Sequence, residues 1–227
     1  MDTLKTKASV DVVLPFEIND EYYVVEKLGS IEQKPIYNFF KRLNDIVISV
    51  LALVVLFLPM LVIALCIKFS SKGTVFYLQE RLGLNGKTFN IIKFRTMEMD
   101  AEDNCIQWST GDDDERIFKF GRILRKLRLD ELPQFWCILM GDMSLVGPRP
   151  ERECFYNLFE TYIDGFNQRL KVKPGLTGLA QVNGGYDLMP HEKIIYDIEY
   201  IKKRSMHLDL TIIFKTVKVV FTHNGAK

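Results

Sequence analysis

The chain has 227 residues, enough for one sizeable domain or for a small domain with appendages. Its 30 basic and 29 acidic residues give a formal net charge of +1, which argues against nucleic-acid binding through bulk charge. The four cysteines form no CxxC pair and the three histidines are far apart, so the sequence predicts no zinc site and fits a reducing compartment.

Residues 1–35 are polar and mixed in composition, and we assign them to an N-terminal extension of unknown role. Their acidic start does not have the pattern of a secretory signal. The alternating stretch "YYVVEKLG" (22–29) is compatible with short paired strands or with irregular chain.

The strongest feature is an uncharged run from Ile46 to Ile67, with basic residues on both sides. Its 22 residues would form a helix of roughly 33 Å, enough to reach across the hydrocarbon core of a bilayer. Pro59 removes a backbone donor and clashes with the carbonyl four residues earlier, so we expect a kink. A kinked helix can be a bent span or a re-entrant helix, and basic residues at both ends do not separate the two.

Two β-rich segments come next, "GTVFYLQERLG" and "KTFNIIKFRTM", and the turn "LGLNGK" (82–87) between them predicts a hairpin. Residues 98–115 are polar and acidic and predict a loop. The segment "RIFKFGRILRKLR" (116–128) has six basic residues and no acid. It predicts an amphipathic helix at an anionic ligand or a membrane surface, or else a solvated helix face.

The remainder is predicted to be mainly helical. "LPQFWCILMGDM" (132–143) indicates a short helix that ends near Gly141, and the last helix is expected over about 209–222. Between them, "KPGLTGLAQVNGG" (173–185) is typical of a glycine-rich loop flanked by helical stretches.

The stretch "LRLDELPQ" (127–134) places Asp130 next to Glu131, just before Pro133. Proline is tolerated in the first turn of a helix, so Asp130 could simply be an N-cap that accepts from unpaired backbone N–H groups. The alternative is phosphate chemistry. Two carboxylates near cations such as Arg125 could hold Mg²⁺, and a carboxylate can also attack phosphorus to give an acyl-phosphate.

A second cluster, "GDMSLVGPRPE" (141–151), contains Arg149 between Pro148 and Pro150. The two rigid prolines fix the backbone around the arginine, and a preoriented guanidinium can bind a phosphate through two parallel hydrogen bonds. Pro-Arg-Pro alone is usually only a turn. The phosphate-binding interpretation therefore depends on the whole stretch 141–151, which would seldom occur by chance.

From Lys41 to about Phe221, the chain resembles the bacterial sugar transferase family, the small monotopic phosphoglycosyl transferases. The resemblance covers about four-fifths of the chain, in the family's order. The matching stretches are "KRLNDIV", "QERLGLNGKTFNIIKFRTM", "LDELPQFWCILMGDMSLVGPRPE" and "KPGLTGLAQVNG".

This resemblance implies transfer of a sugar 1-phosphate from a UDP-sugar to polyprenyl (undecaprenyl) phosphate, with release of UMP, at the start of polysaccharide or glycoconjugate assembly. It implies two steps through a covalent aspartyl phosphosugar, with Asp130 as nucleophile, Glu131 as its support, and Mg²⁺ held beside both. The candidate phosphate-binding residues are Lys93, Arg95, Arg125 and Arg149, and the structural or loop candidates are Pro59, Pro148, Pro150, Lys173 and Gln181.

The resemblance also implies a re-entrant membrane helix that keeps the catalytic part on the cytoplasmic face of the bacterial inner membrane. The expected fold is α+β and mainly helical, with interfacial amphipathic helices and a small β-hairpin around a cytoplasmic active site. We expect an extension at 1–35, the re-entrant region at 36–72 and the catalytic region at 73–227, with a homo-oligomer allowed. Two departures from the family pattern are Leu58 before Pro59, where serine is usual, and Lys173, where arginine is usual.

Two other functions are compatible with parts of the sequence. A non-catalytic membrane scaffold would use the acid pair as a cap and the basic helix to contact anionic lipid, and it would release no UMP. A metal-dependent lipid-phosphate hydrolase would use the pair to hold metal, with water as acceptor, and it would release phosphate without making a lipid-linked sugar.

Overall fold

The computed structural model describes residues 12–14, 21–99, 101, 106–107, 114–184 and 188–222, and it is α+β and mainly helical, as predicted. The helices are α1 Pro35–Val55, α2 Phe57–Ser70, α3 Lys119–Lys126, α4 Gln134–Met140, α5 Glu153–Glu160, α6 Leu179–Asn183, α7 Pro190–Lys203 and α8 Met206–Thr222. The strands are β1 Val12–Val13, β2 Tyr23–Val24, β3 Phe76–Leu82, β4 Thr88–Phe94, β5 Ile106–Gln107, β6 Ser144–Val146, β7 Ile163–Asp164 and β8 Gly175–Thr177. Short 3₁₀ segments cover Leu84–Gly86, Leu129–Glu131 and Phe166–Lys171.

Helices α1 and α2 form a pair that is bent by 60° at Leu56. The carbonyl four residues before Pro59 belongs to Val55, which is the last residue of α1, so the break lies where the proline ring prevents continuation. The predicted kink is therefore confirmed. Within the described ranges, no helix alone is long and apolar enough to cross a bilayer, whereas this bent pair has the length and composition to do so. A re-entrant path through the membrane stays a prediction.

The bent pair exposes its apolar side chains, in contrast to a helix in a soluble domain. Val54 is 70% exposed and Phe69 is 87% exposed, whereas the two buried residues of α1 are the polar Asp45 and Ser49. A helix with a polar inner face and an apolar outer face is typical of contact with lipid.

Polar side chains attach α1 to the rest of the chain. Lys41 pairs with Asp209 of α8 at 2.8 Å, and Arg42 donates to two carbonyls in the last turn of α4 at 2.7 Å each. Asp45 accepts from the backbone N–H of Leu145 on β6 at 2.9 Å. All three belong to the "KRLND" stretch, so the basic residues that precede the apolar run also have partners inside the protein.

Strands β3 and β4 form the predicted antiparallel hairpin, paired from Phe76 opposite Phe94 to Leu82 opposite Thr88. Its turn contains Asn85 and Gly86, both with positive φ, which is the backbone conformation that these two residue types adopt most readily. The predicted helices after the hairpin are confirmed as α3, α4 and α8. The predicted acidic loop at 98–115 falls largely outside the described residues.

The prediction of a glycine-rich loop at 173–185 was wrong, because this stretch contains strand β8 and helix α6. Strand β8 pairs in parallel with the distant β6, and a local pattern does not reveal such a partner. The two backbones approach closely at Gly147 and Gly175. A Cβ on Gly175 would lie 2.1 Å from the nitrogen of Gly147, so a larger residue does not fit.

The described part of the N-terminal extension lies against the C-terminal half of the chain. Strand β2 pairs in parallel with β7, so the stretch "YYVVEKLG" contains a short paired strand, which was one of its two predicted structures. The main core cluster joins α4, β6, α5, α7 and α8, with Phe159, Ile194 and Ile212 fully buried. A smaller cluster packs α2 against α3 and the end of β4 through residues such as Ile67 and Leu124.

Candidate active site

A pocket of about 610 Å³ lies at the end of β4, between the 3₁₀ segment Leu129–Glu131 and the segment that follows β6. Asp130 and Glu131 both line it. Its wall also carries the basic residues Lys93, Arg95, Arg125, Arg128, Arg149, Arg152 and Lys193. A cavity with this lining suits a polyanionic ligand such as a diphosphate.

The N-cap interpretation of Asp130 is wrong. Helix α4 begins only at Gln134, and its cap residue Pro133 makes no side-chain cap hydrogen bond. Arg128 has a left-handed backbone with φ of 54°, which ends α3 and starts a 3₁₀ turn that contains Asp130. A non-glycine residue in this conformation is uncommon, so no local pattern in the sequence predicts the extra turn.

Glu131 is held by two cations. Lys93 Nζ lies 3.0 Å from Glu131 Oε1, and Arg149 donates to both carboxylate oxygens, with a distance of 3.3 Å from NH1 to Oε2. Burial alone would raise the pKa of Glu131, but the charges of Arg149 and Lys93 and their hydrogen bonds outweigh it and hold this pKa well below its usual value. At neutral pH, Glu131 is therefore an anion that holds both cations.

The pKa of Asp130 is shifted in the opposite direction from that of Glu131. The Asp130 side chain is buried, and within the described part of the chain its carboxylate accepts no hydrogen bond. Burial and the neighbouring charge of Glu131 raise the pKa of Asp130 to about 6, although Lys93, Arg125 and Arg149 act against the shift. Two adjacent carboxylates whose pKa values move apart are typical of catalytic sites.

The Pro-Arg-Pro segment is held through all three of its carbonyls. The Pro148 carbonyl accepts from a backbone N–H of β8 at 2.9 Å, and Arg81 donates to the Pro150 carbonyl at 3.1 Å. The Arg149 carbonyl accepts from Arg169 at 2.9 Å. The two-pronged contact that we expected Arg149 to make with phosphate is made here with Glu131, and its contact with phosphate stays a prediction.

Arg169 was missed by the sequence interpretation. It lies in the 3₁₀ segment Phe166–Lys171 and pairs with Asp197 of α7 at 2.6 Å, with both side chains almost fully buried. A buried pair of this kind is costly to desolvate, so its contact with the Arg149 carbonyl points to a positioning role. The two residues are 28 positions apart on different elements, and no local pattern in the sequence connects them.

Arg95 and Arg125 line the pocket, but each also has a partner in the protein. Arg95 Nε donates to the Thr74 carbonyl at 2.6 Å, and its terminal nitrogens donate to Ser71, so it ties the chain after α2 to the end of β4. Arg125 Nε donates to the Thr96 hydroxyl at 2.9 Å. Phosphate binding by either residue stays a prediction.

Of the two remaining predicted residues, Gln181 lines the pocket and Lys173 does not. Gln181 on α6 lines the pocket, and its Nε2 donates to the Leu176 carbonyl at 2.9 Å. Lys173 does not line the pocket, and burial together with the charge of Arg42 lowers its pKa. It therefore lies near the junction of α1 with the rest of the chain.

Comparison with known proteins gives a family match over most of the chain. The bacterial sugar transferase family matches residues 36–223. The UDP-N-acetylgalactosamine-undecaprenyl-phosphate N-acetylgalactosaminephosphotransferase of Aeromonas hydrophila is 44% identical over 88% of this chain, and the UDP-glucose:undecaprenyl-phosphate glucose-1-phosphate transferase of Klebsiella pneumoniae is 44% identical over 82%.

The chain spans less than half the length of these two relatives, 48% and 41%. The exopolysaccharide production protein ExoY of Sinorhizobium fredii matches along nearly its whole length, with 37% identity over 90% of this chain and 95% of that protein. The family match covers the pocket, the acid pair and the helices that surround them. The chain therefore belongs to the bacterial sugar transferase family.

Proposed function

We propose that this chain transfers a sugar 1-phosphate from a UDP-sugar to polyprenyl phosphate and releases UMP. The observation that carries the proposal is the Asp130–Glu131 pair in one basic pocket. Glu131 holds two cations, whereas Asp130 accepts no hydrogen bond from any residue that the structure describes. The names of the relatives, which pair UDP-sugars with undecaprenyl phosphate, support this choice of donor and acceptor.

In the first step, a carboxylate oxygen of Asp130 attacks the phosphorus that carries the sugar. A new oxygen–phosphorus bond forms, the bond from that phosphorus to the bridging oxygen breaks, and UMP leaves with the electron pair. In the second step, a phosphate oxygen of polyprenyl phosphate attacks the same phosphorus. The acyl-phosphate bond breaks, the Asp130 carboxylate is restored, and the product is a polyprenyl diphosphate sugar.

The positive charge around the pair explains why an anion can approach a diphosphate. Lys93 and Arg149 stand within bonding distance of Glu131 and beside Asp130, and they offset the negative charge of the substrate where it accumulates. Because the Arg149 backbone is fixed by its flanking contacts, its charge is in place before substrate binds.

The donor set suits Mg²⁺ shared with a substrate. The described residues contain no group of three or more His, Cys, Asp or Glu side chains that could form a complete protein cage. Mg²⁺ commonly binds through one or two carboxylates together with substrate phosphates, and Asp130 offers such a carboxylate, whereas both oxygens of Glu131 already contact cations. When bound there, Mg²⁺ would neutralise charge on the diphosphate.

The proposal also places the bent pair α1–α2 in the cytoplasmic leaflet of the bacterial inner membrane. Its apolar outer face and the bend at Leu56 support a helix that turns back within the membrane. The exposed Trp136 and Met140 of α4 would then lie near the lipid surface.

The test is a UMP-release assay with a panel of UDP-sugars, with and without polyprenyl phosphate, and with detection of lipid-linked sugar. At least one UDP-sugar should give UMP and a polyprenyl diphosphate sugar in equal amounts. Asp130→Asn should abolish both, while Asp164→Asn, which alters a partly exposed acid on β7, should leave both unchanged. Release of inorganic phosphate without lipid-linked sugar would establish a hydrolase instead, and no UMP from any UDP-sugar would favour a scaffold.

A further inference from the structure

A second cavity, of about 280 Å³, lies beside the active-site pocket. Its walls come from α1, α4, α6 and α8 and from the parallel strands β6 and β8, and most of the side chains that line it are apolar, among them Phe135, Leu145, Val182 and Ile213. We refer to this cavity as the apolar groove. A UDP-sugar is charged and polar, and the groove therefore does not suit the donor substrate.

The groove meets the active-site pocket at one end, where Arg128, Glu131 and Gln181 line both cavities. Elsewhere its lining includes Ile48 on α1 and Val217 on α8, and both of these side chains are partly exposed. Ile48 belongs to the apolar face of the bent pair. The groove therefore connects the active-site pocket, at Glu131, with the surface that contacts lipid in the proposed function.

We infer that the apolar groove binds the first isoprene units of the polyprenyl phosphate acceptor. Its phosphate would lie at the shared end, where Arg128 supplies positive charge, and the rest of the chain would continue into the bilayer beside α1 and α8. This inference rests on the proposed function. Its basis is the continuity of one apolar cavity with the active-site pocket, at Glu131, and with the lipid-facing helix α1.

A phospholipid fits the groove less well. It carries two acyl chains on one headgroup, whereas the volume of the groove, slightly below the usual range of roughly 300–1,000 Å³ for ligand pockets, suits one narrow chain. The shared end also lies beside Glu131 and the active-site pocket, which is where the phosphate of a reacting acceptor has to lie.

The arrangement separates the two substrates. Asp130 lines only the active-site pocket, whereas Glu131 lines both cavities. The donor would therefore approach Asp130 through the basic pocket, and the acceptor phosphate would reach the same phosphorus through the groove. Separate routes for the two substrates are consistent with a reaction order in which UMP is released before the acceptor reacts.

The test fills the groove without touching the acid pair. Val217 is 50% exposed and lines the groove, so Val217→Trp should narrow it while the core stays intact. Phe214→Trp is the matched control, because Phe214 lies on the same helix, is 73% exposed and does not line the groove. Val219→Phe, at another wall position, is a second filling variant should Val217→Trp lower the melting temperature.

We expect the apparent KM for polyprenyl phosphate to rise about tenfold or more in Val217→Trp, because each excluded methylene weakens binding. UMP release in a single turnover without acceptor, and the melting temperature, should match the wild type. Phe214→Trp should behave as the wild type throughout. A polyprenyl phosphate with a photoreactive group near its phosphate end should crosslink to α6 or α8.

The possible failures are distinguishable. An unchanged KM in both filling variants, with an active wild type, would overturn the groove assignment and leave the proposed function intact. An equal loss of UMP release without acceptor would assign the groove to the donor and also overturn it. Equal competition of the crosslink by phosphatidylglycerol would make the groove a phospholipid site. A wild type that transfers sugar phosphate to no polyprenyl phosphate would reject the proposed function itself.

Discussion

The burial of Asp130 and its lack of a hydrogen-bond partner among the described residues both lower the stability of the folded protein when its carboxyl group is ionised. The ionised form of Asp130 is therefore disfavoured in the folded protein. A nucleophile has to be accessible to phosphorus, and partners that would stabilise the carboxylate would also block it. In its proposed role as nucleophile, Asp130 would therefore contribute to function at a cost in folding free energy.

We predict that Asp130→Asn stabilises the metal-free protein at neutral pH. The folded-state pKa of about 6 lies above the ordinary value of 3.8, so the folded state binds this proton more tightly than the unfolded state does. The wild-type fold therefore loses stability as pH rises from about 4 to about 6, and the asparagine variant lacks this loss. Two pKa units correspond to at most about 3 kcal/mol.

The measurement is urea unfolding of both proteins in EDTA at pH 4 and pH 7.5. The variant should be more stable at pH 7.5 and equal to the wild type at pH 4. A variant that is less stable at pH 7.5 would show that the Asp130 carboxylate makes a stabilising contact.

The Arg149→Lys variant tests whether the positive charge at this position is sufficient or whether a simultaneous contact with two oxygens is also required. Lysine keeps the positive charge beside Glu131 but cannot contact both carboxylate oxygens at once. The loss of one charged hydrogen bond predicts a fall in kcat/KM for the UDP-sugar of roughly 10- to 100-fold, with an unchanged melting temperature. Turnover close to that of the wild type would show that the contact of Arg149 with two oxygens at once is not required.

The N-terminal extension contacts the 3₁₀ segment Phe166–Lys171. The backbone N–H of Leu28 donates to Gln168 Oε1 at 2.5 Å, and Lys171 Nζ donates to the Leu28 carbonyl at 2.8 Å. Arg169 lies between these two contacts along the chain and holds the Arg149 carbonyl. The extension therefore contacts an element that holds the backbone of Arg149, a residue of the candidate site.

We predict that Gln168→Leu lowers the free energy of unfolding by about 1–2 kcal/mol, because the Leu28 N–H loses its partner. It should also reduce kcat/KM for the UDP-sugar several-fold, since Arg149 is then held less firmly. Asn167→Ala, at the neighbouring exposed position, is the control and should change neither quantity. Lost stability with full activity would limit the extension to a purely structural role.

In the proposed function, the bent pair α1–α2 determines how the whole protein lies on the membrane. If α1–α2 is re-entrant, both of its ends lie on the cytoplasmic side, together with the active site. Carrying a charged end across the bilayer would cost several kcal/mol, and Lys41 and Arg42 are already fixed to the catalytic part by hydrogen bonds. We therefore predict that Asn38 and Lys72 lie on the same side.

Single cysteines at these two positions, Asn38→Cys and Lys72→Cys, in a chain without its other cysteines, test this in sealed inverted vesicles with a membrane-impermeant maleimide. Both sites should be labelled from outside these vesicles, where the cytoplasmic face is exposed, without detergent. Labelling of one site only after permeabilisation would establish a true span.

The sequence by itself determined the elements whose information is local. The apolar run with Pro59, the Asn85-Gly86 hairpin turn and the helix that ends at Gly141 all formed as predicted, because proline sterics, turn residues and helix periodicity act over a few positions. The motif string also identified the family, and four of the residues that it singled out line a single pocket in the structure: Lys93, Asp130, Glu131 and Arg149.

Only the tertiary structure decided how the two acids differ. In the sequence they are equivalent neighbours, but Lys93 from β4 and Arg149 from the segment after β6 meet at Glu131 and leave Asp130 without a hydrogen bond among the described residues. The same holds for β8, for the Arg169–Asp197 pair and for the apolar groove, each built from segments far apart in the chain. Their energies depend on burial and on distances between such segments, and these quantities exist only once the chain has folded.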